Sequence, residues 1–226
     1  MPEIADPAIA YRELGPDDAE VVHALYARVQ AGTPYGFLAE QSPQGIADML
    51  AAKARAACVG AWLGGQLVGY LLNRLESAVT GADSPLVRHL TALGQPIIYN
   101  HGIAIEPDMR TGGIGSALIR ERRRLAASRG LHHALMLVAV DNLASLQMTL
   151  RAGSWLVGFE RDRYCQNFQV YAGALTGTAT LAEQEALPLD DEPAIAARFA
   201  DGWVANALDP EAGTIVMRRC ADLAPA

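Results

Sequence analysis

A mixed-sheet α/β fold is predicted for this chain by three observations. Short apolar runs of strand length come early and pair as antiparallel hairpins around glycine turns. A strand–helix–strand crossover follows in the middle of the chain. The helices are amphipathic but do not alternate regularly with strands, so a doubly wound parallel sheet is not expected.

Each element has its own local signal. Residues 8–14, "AIAYREL", read as a strand. In 15–31, Pro16 and two aspartates mark a helix start, and Val22, Leu25, Tyr26 and Val29 share one face. Residues 33–43 read as a loop and 43–56 as a second helix. Two strands flank Gly64-Gly65, a two-residue turn. Residues 77–96 form a connecting insertion with one helical turn, and "IIYNHGIAI" (97–105) is the fourth strand. A helix is expected over 113–129. "HHALMLVAV" is an apolar strand buried on both faces. "NLASLQMTLRAG" is a short helix closed by Gly153. One or two strands follow in 154–173, then a loop over 173–191, a helix over 192–208 with Pro193 in its first turn, and a closing strand "GTIVMRRC". The expectation is one domain over 1–226, with a helical insertion or extension at about 173–212.

Composition narrows the function. The 226 residues carry a formal net charge of −7, against nonspecific nucleic-acid binding and compatible with cationic substrates. Cys58, Cys165 and Cys220 lie far apart, without CxxC spacing, and His132 and His133 point apart on a strand. Neither a disulfide framework nor a metal site is suggested. The first residues lack a basic-plus-apolar leader, and the longest apolar stretch is interrupted at Gly64, Gly65 and Gln66. A cytoplasmic location without membrane or nucleic-acid partners is expected.

The stretch "GIAIEPDMRTGGIGSALIRERRR" (102–124) carries the chemistry. A strand breaks at Pro107, and the chain passes Arg110, Thr111, Gly112, Gly113, Ile114, Gly115 and Ser116 into a helix. Unsatisfied N–H groups at a helix start carry partial positive charge, and glycines let backbone approach an anion closely. Arg110 adds a permanent charge with a fork suited to phosphate. This order fits a pyrophosphate better than a plain tight turn. It is not a P-loop, and Leu118 stands where a Rossmann fingerprint needs its third glycine. "RERRR" reads as the solvated face of the helix.

Arg110-x-x-Gly113-x-Gly115 resembles the acetyl-CoA signature of the GNAT superfamily, the Gcn5-related N-acetyltransferases. "VDNLASLQMTLRAGSWLVG" resembles that family's later strand end and helix. The resemblance covers roughly residues 8–172 and is strongest over 97–160. It implies a GNAT-like, mostly antiparallel sheet flanked by helices, with the fourth and fifth strands splayed apart. By the same resemblance, Ile103, Ala104 and Ile105 form the pantetheine-facing strand edge, and Ile103 and Ile105 pair with its amides. Backbone N–H groups from Arg110 through Ser116 hold the pyrophosphate. Asn142, with Ser145 one turn later, matches a cofactor-contacting asparagine; Asn142 also suits a helix N-cap.

The implied reaction is direct attack of a primary amine, small-molecule or peptide, on acetyl-CoA. At pH 7 roughly one alkylammonium in a thousand is neutral, so a base helps. His101 falls where the family often carries a glutamate, and its ordinary pKa suits the task; a packed or solvent-facing histidine is the alternative. Tyr99 shares its strand face and lines the pocket. Glu106 is the nearest carboxylate. Thr149 stands where the family often has a tyrosine acid, leaving Tyr164, Cys165 or water to protonate the thiolate. The acceptor pocket is expected from the 30–45 loop, the 76–95 insertion and the C-terminal segment, which hold Tyr35, Phe37, Glu40, Glu76, Asp83, His89 and Trp203. A catalytically weak acyl-CoA-binding module is the second reading, and a nucleotide-binding oxidoreductase a weaker third. The segment 173–226 is a candidate homodimer surface.

Overall fold

In a computed structural model, residues 8–51, 56–76, 85–92, 94, 96–173 and 181–220 are described. They form a mixed, mostly antiparallel sheet flanked by helices, as expected from the sequence. The chain divides into two compact units, residues 1–74 with 101–130 and residues 75–100 with 131–226.

The first unit begins with β1 (Ala10–Glu13), α1 (Ala19–Ala31) and α2 (Pro43–Ala51). β2 (Val59–Leu63) and β3 (Gln66–Glu76) follow as a hairpin. Its two turn residues, Gly64 (φ 56°) and Gly65 (φ 85°), both take the left-handed conformation that suits a two-residue hairpin turn. β1 pairs with β2, and β2 with β3, both antiparallel. The end of β4 (Ile97–Ile105) and α4 (Ile114–Ala127) complete the unit. Val22, Leu25, Tyr26 and Val29 of α1 are buried with Ile46, Leu50, Tyr70, Leu72 and Ala104 in one core. The 3.6-residue spacing in α1 thus chose the buried face expected from sequence. The second-helix signal continued to residue 56; α2 ends at Ala51, and 52–55 lie outside the described residues.

Close packing seats α4 on the sheet. A Cβ built on Gly69 of β3 would lie 3.2 Å from Ile114 Cγ2 and 3.4 Å from both Ala104 O and Leu118 Cδ1. A side chain here would make Ile114 give by a few tenths of an ångström. Gly69→Val is expected to overpack this layer and cost about 1–3 kcal/mol, read as a lower melting temperature. An unchanged melting temperature would show that α4 shifts without cost.

The buried stripe of α4 is Ile114, Gly115, Leu118, Ile119, Arg122 and Ala126. "RERRR" is therefore not wholly a solvated face. Arg120 and Arg124 are exposed, but Arg122 is only 2% exposed. At 100° per residue it falls between Leu118 and Ala126, in the middle of the apolar stripe. Its Nε and Nη2 have no hydrogen-bond partner among the described residues. Burial, reinforced by neighbouring Arg123, pushes its pKa down to about 9.

The second unit holds α3 (Pro85–Ala92), the start of β4, β5 (His133–Ala139), α5 (Leu143–Arg151), β6 (Trp155–Arg161) and β7 (Gln166–Tyr171). β8 (Leu181–Pro188), α6 (Glu192–Ala200), β9 (Trp203–Asp209) and β10 (Thr214–Cys220) follow. The strand order is β4-β5-β7-β6-β9-β10-β8. The parallel β4–β5 ladder joins Ile97–Tyr99 to His133–Leu135; β5–β7, β7–β6, β6–β9, β9–β10 and β10–β8 are antiparallel. Val87, Ile97, Leu135, Val157, Tyr171 and Val204 form its core.

Two expectations for the C-terminal segment are corrected. The loop expected over 173–191 contains β8, whose residues pair with β10 from Thr214↔Pro188 to Cys220↔Leu181. Its sequence "LAEQEALP" has no β-branched or aromatic residue and so carries little strand preference, and the pairing partner decides. Residues 174–180 lie outside the described residues. The helix expected over 192–208 ends at Ala200, because Gly202 takes φ 80° and the chain turns into β9. The 173–212 segment carries the helix α6 between β8 and β9. The single turn expected in the insertion is the longer helix α3.

Candidate active site

The strand–Pro–Arg–Gly–Gly–helix stretch takes the expected form in the first unit. β4 ends at Ile105, Pro107–Met109 make a 3-10 turn, and α4 starts at Ile114. Gly113 is the N-cap of α4 with φ 73°, a conformation that costs a residue with a Cβ about 1 kcal/mol or more. A glycine N-cap offers no side chain to the helix's first N–H groups, and the first intrahelical bond from Gly113 O goes to Ala117 N at 3.1 Å. The N–H groups of Gly113, Ile114, Gly115 and Ser116 thus stand at the positions that helix geometry leaves without an internal acceptor. This is a donor set matched to an anion.

Not all N–H groups from Arg110 through Ser116 are open to a ligand in the same way. The Arg110 N–H donates to Pro107 O at 3.4 Å and the Gly112 N–H to Met109 O at 3.3 Å, so both serve the turn itself. Thr111 and Arg110 are exposed, and the Arg110 Nε donates to Ile105 O at 3.4 Å.

Strand geometry assigns the two edges of β4. The Glu106 N–H donates to Val68 O of β3 at 2.9 Å. Even-numbered residues therefore turn their backbone polar groups towards β3, and His101, Ile103 and Ile105 turn theirs to the opposite edge. Ala104 is buried in the first core. Ile103 and Ile105 are half-buried.

His101 is half-buried on this strand, and its carbonyl accepts from Gln41 Nε2 at 3.3 Å. Gln41 is itself held: its N–H donates to the Tyr26 hydroxyl at 2.9 Å. Leu38 of the same loop packs so closely that its Cδ1 would lie 3.4 Å from a Cβ at Gly102. Glu106, the nearest carboxylate, is engaged, since Arg28 Nε donates to its Oε1 at 2.9 Å. Sequence reasoning missed Tyr26, Gln41 and Arg28 because these contacts join residues far apart in the chain. An unexplained glycine inside the β3 pattern was the available signal for Gly69.

Of the remaining candidates, Tyr35 and Glu40 belong to the first unit and the others to the second. Tyr99 packs against the core of the second unit. Asn142 caps α5, its Oδ1 accepting from Ser145 N at 3.2 Å. Thr149 is buried and its hydroxyl donates to Leu146 O at 2.8 Å, which fixes it as a packing residue. Tyr164 sits beside Arg163, whose guanidinium lies 4.6 Å from the ring centroid and whose Nη2 donates to the phenol oxygen. Burial, with help from Asp162, raises the Cys165 thiol pKa, so that group stays protonated at neutral pH. Trp203 and Phe199 are buried. Tyr35 is 78% exposed, and Glu40 is exposed beside it in the loop. Asp83 and the side chain of His89 lie outside the described residues. Among the described residues no three His, Cys, Asp or Glu side chains cluster as a metal site, and no helix is long and apolar enough to cross a membrane.

Comparison with known proteins gives the family. The model of the acetyltransferase (GNAT) family matches residues 22–153, more than half of the chain. An acetyltransferase of the GNAT family from Streptococcus pneumoniae is similar in fold, with 20% identity and a TM-score of 0.57 over 74% of this chain and 99% of that one. The ribosomal-protein-S18-alanine N-acetyltransferase from Escherichia coli superposes with a TM-score of 0.56 at 15% identity, covering 76% of this chain and 97% of its own. Diaminobutyrate acetyltransferase EctA from Paenibacillus lautus, solved with L-2,4-diaminobutyric acid and coenzyme A, gives 0.52 at 18% identity, over 74% and 95%. No curated protein matches by sequence. The family match runs through α1, β4, the glycine-capped mouth of α4 and α5, and the chain belongs to the acetyltransferase (GNAT) family.

Proposed function

We propose that this chain is an N-acetyltransferase that moves the acetyl group of acetyl-CoA to a primary amine of a small molecule or peptide, working as one domain. The observation that carries the proposal is the glycine-capped N-terminus of α4 immediately after β4, within the segment matched by the family. Structures similar in fold include one solved with coenzyme A and diaminobutyric acid and another with a CoA–peptide bisubstrate analogue.

The residues fit the cofactor. The N–H groups of Gly113, Ile114, Gly115 and Ser116 would hold the pyrophosphate, with Arg110 adding charge from the same turn. The β4 edge at Ile103 and Ile105 offers backbone partners to an amide-bearing arm, and Asn142 and Ser145 are assigned a supporting contact. Acetyl-CoA supplies a thioester whose C–S bond is exchanged for the new C–N bond. His101 takes one proton from the ammonium so that its nitrogen can attack. Tyr99 is assigned to the pocket wall. Tyr164 is the proposed proton source for the leaving thiolate, in place of the buried Thr149, and it regains a proton from the second N–H that the nitrogen loses on acylation.

The burial of Thr149 favours one alternative, a chain that binds acyl-CoA and turns it over weakly or not at all. Thiol release from acetyl-CoA across a panel of amines separates the two: amine-dependent release supports the transferase, and binding without release supports the module. Arg110→Ala is expected to weaken acetyl-CoA binding by about 1.5–3 kcal/mol, the range for a hydrogen bond to a charged group, with the melting temperature of the free protein unchanged. Isothermal titration of the variant checks this. Unaltered affinity would mean that the helix N–H groups hold the phosphates alone.

A further inference from the structure

We propose that Gln41 is a positioning residue for the reaction, fixing the loop before α2 against β4 at His101. The inference rests on His101 as the base. Three contacts within the first unit carry it. The Gln41 Nε2 donates to His101 O at 3.3 Å, and the Gln41 N–H donates to the Tyr26 hydroxyl at 2.9 Å. Leu38 is buried and its Cδ1 lies against Gly102.

Tyr26 is 4% exposed on the buried face of α1, so its hydroxyl is anchored in the first core. Gln41 is therefore held from the backbone side by the core and reaches outward with its carboxamide. It meets the carbonyl of the residue proposed to take the proton. That carbonyl lies on the β4 edge that faces away from β3. Two residues further along stands the Ile103 backbone, and two beyond that is Ile105 O, which accepts from Arg110 Nε. Side-chain donors thus sit at both ends of this edge segment, with Gln41 at the His101 end.

The same strap sets the place of the loop. Leu38 and Gln41 point inward, while Tyr35 and Glu40 are exposed. An aromatic ring and a carboxylate on a loop pinned beside His101 suit a cationic acceptor, through cation–π and charge attraction. Gln41 would hold that surface and the base in one fixed relation. Losing the strap should loosen acceptor binding while leaving the glycine-capped helix mouth intact.

The test compares Gln41→Ala, Gln41→Glu and Tyr26→Phe with the wild type. Gln41→Glu keeps length and volume but cannot donate to a carbonyl. All three are expected to raise the KM for the amine at least about fivefold, with the KM for acetyl-CoA within about twofold. Hydrogen exchange supplies an arm independent of turnover: Tyr26→Phe should speed exchange in 33–42 and in 98–103 together, and leave 114–127 unchanged. Gln41→Glu behaving like the wild type, both KM values rising in parallel, or faster exchange confined to 33–42 would each overturn the inference. A wild type that turns over no amine would overturn the proposed reaction instead, and the exchange result would then decide the role of Gln41 alone.

Discussion

Replacing His101 with alanine is expected to lower the rate of amine acetylation at least about tenfold, a floor set below the roughly hundredfold at which general-base contributions usually begin. The amine must lose a proton before it attacks, and only a small fraction of an alkylammonium is neutral at pH 7. Glu106, the nearest carboxylate by sequence, is held by Arg28, so it is poorly placed to substitute. The loss should shrink as pH rises towards the pKa of the amine, because the substrate then supplies its own free base. Thiol release measured between pH 7 and 10 with a simple alkylamine checks both statements. An equal rate for the variant across that range would move the base to another group.

Replacing Arg122 with methionine is expected to stabilise the fold by about 1–4 kcal/mol, the gain found where a buried ion pair gives way favourably to apolar side chains of similar volume. For a chain of this length that is a rise of about 2–4 °C in melting temperature per kcal/mol. Arg122 is buried in the apolar stripe of α4, with Nε and Nη2 unmatched. At pH 7 it is protonated in both folded and unfolded chains, so its penalty is fully present. Above about 9, to which burial has lowered its pKa, the unfolded chain binds the proton more tightly than the folded one. Stability should therefore gain with rising pH in the wild type relative to Arg122→Met. A fall in melting temperature for the variant would show that the guanidinium contributes to packing or pairing.

The first unit was legible in the sequence for local reasons. The α1 stripe, the Gly64-Gly65 turn and the glycine N-cap of α4 each depend on neighbours within a turn or two. Arg122 was misread because five charged letters in a row suggest solvent, although its spacing from Leu118 and Ala126 places it on the buried face. The C-terminal segment was read less well. β8 lacks β-branched and aromatic residues and becomes a strand through β10, which lies far along the chain, and the apolar rhythm of α6 runs past Gly202 into β9. In the candidate site, the helix mouth was readable because its chemistry is backbone chemistry written in glycines. The Tyr26–Gln41–His101 strap was not, because a hydrogen bond spanning sixty residues leaves no local pattern.

Acetyl-CoA binding at the mouth of α4 is tested most directly by a thermal-shift titration of the wild type and Gly113→Val with acetyl-CoA, CoA, ATP and NAD. Acetyl-CoA and CoA are expected to stabilise the wild type by about 2.7 kcal/mol at a hundred times their Kd, with little effect from NAD. Gly113→Val, which forces a β-branched residue into the left-handed conformation, should lose most of that ligand-dependent shift. Stabilisation by NAD without stabilisation by acetyl-CoA, or an undiminished acetyl-CoA shift in a folded Gly113→Val, would contradict the assignment.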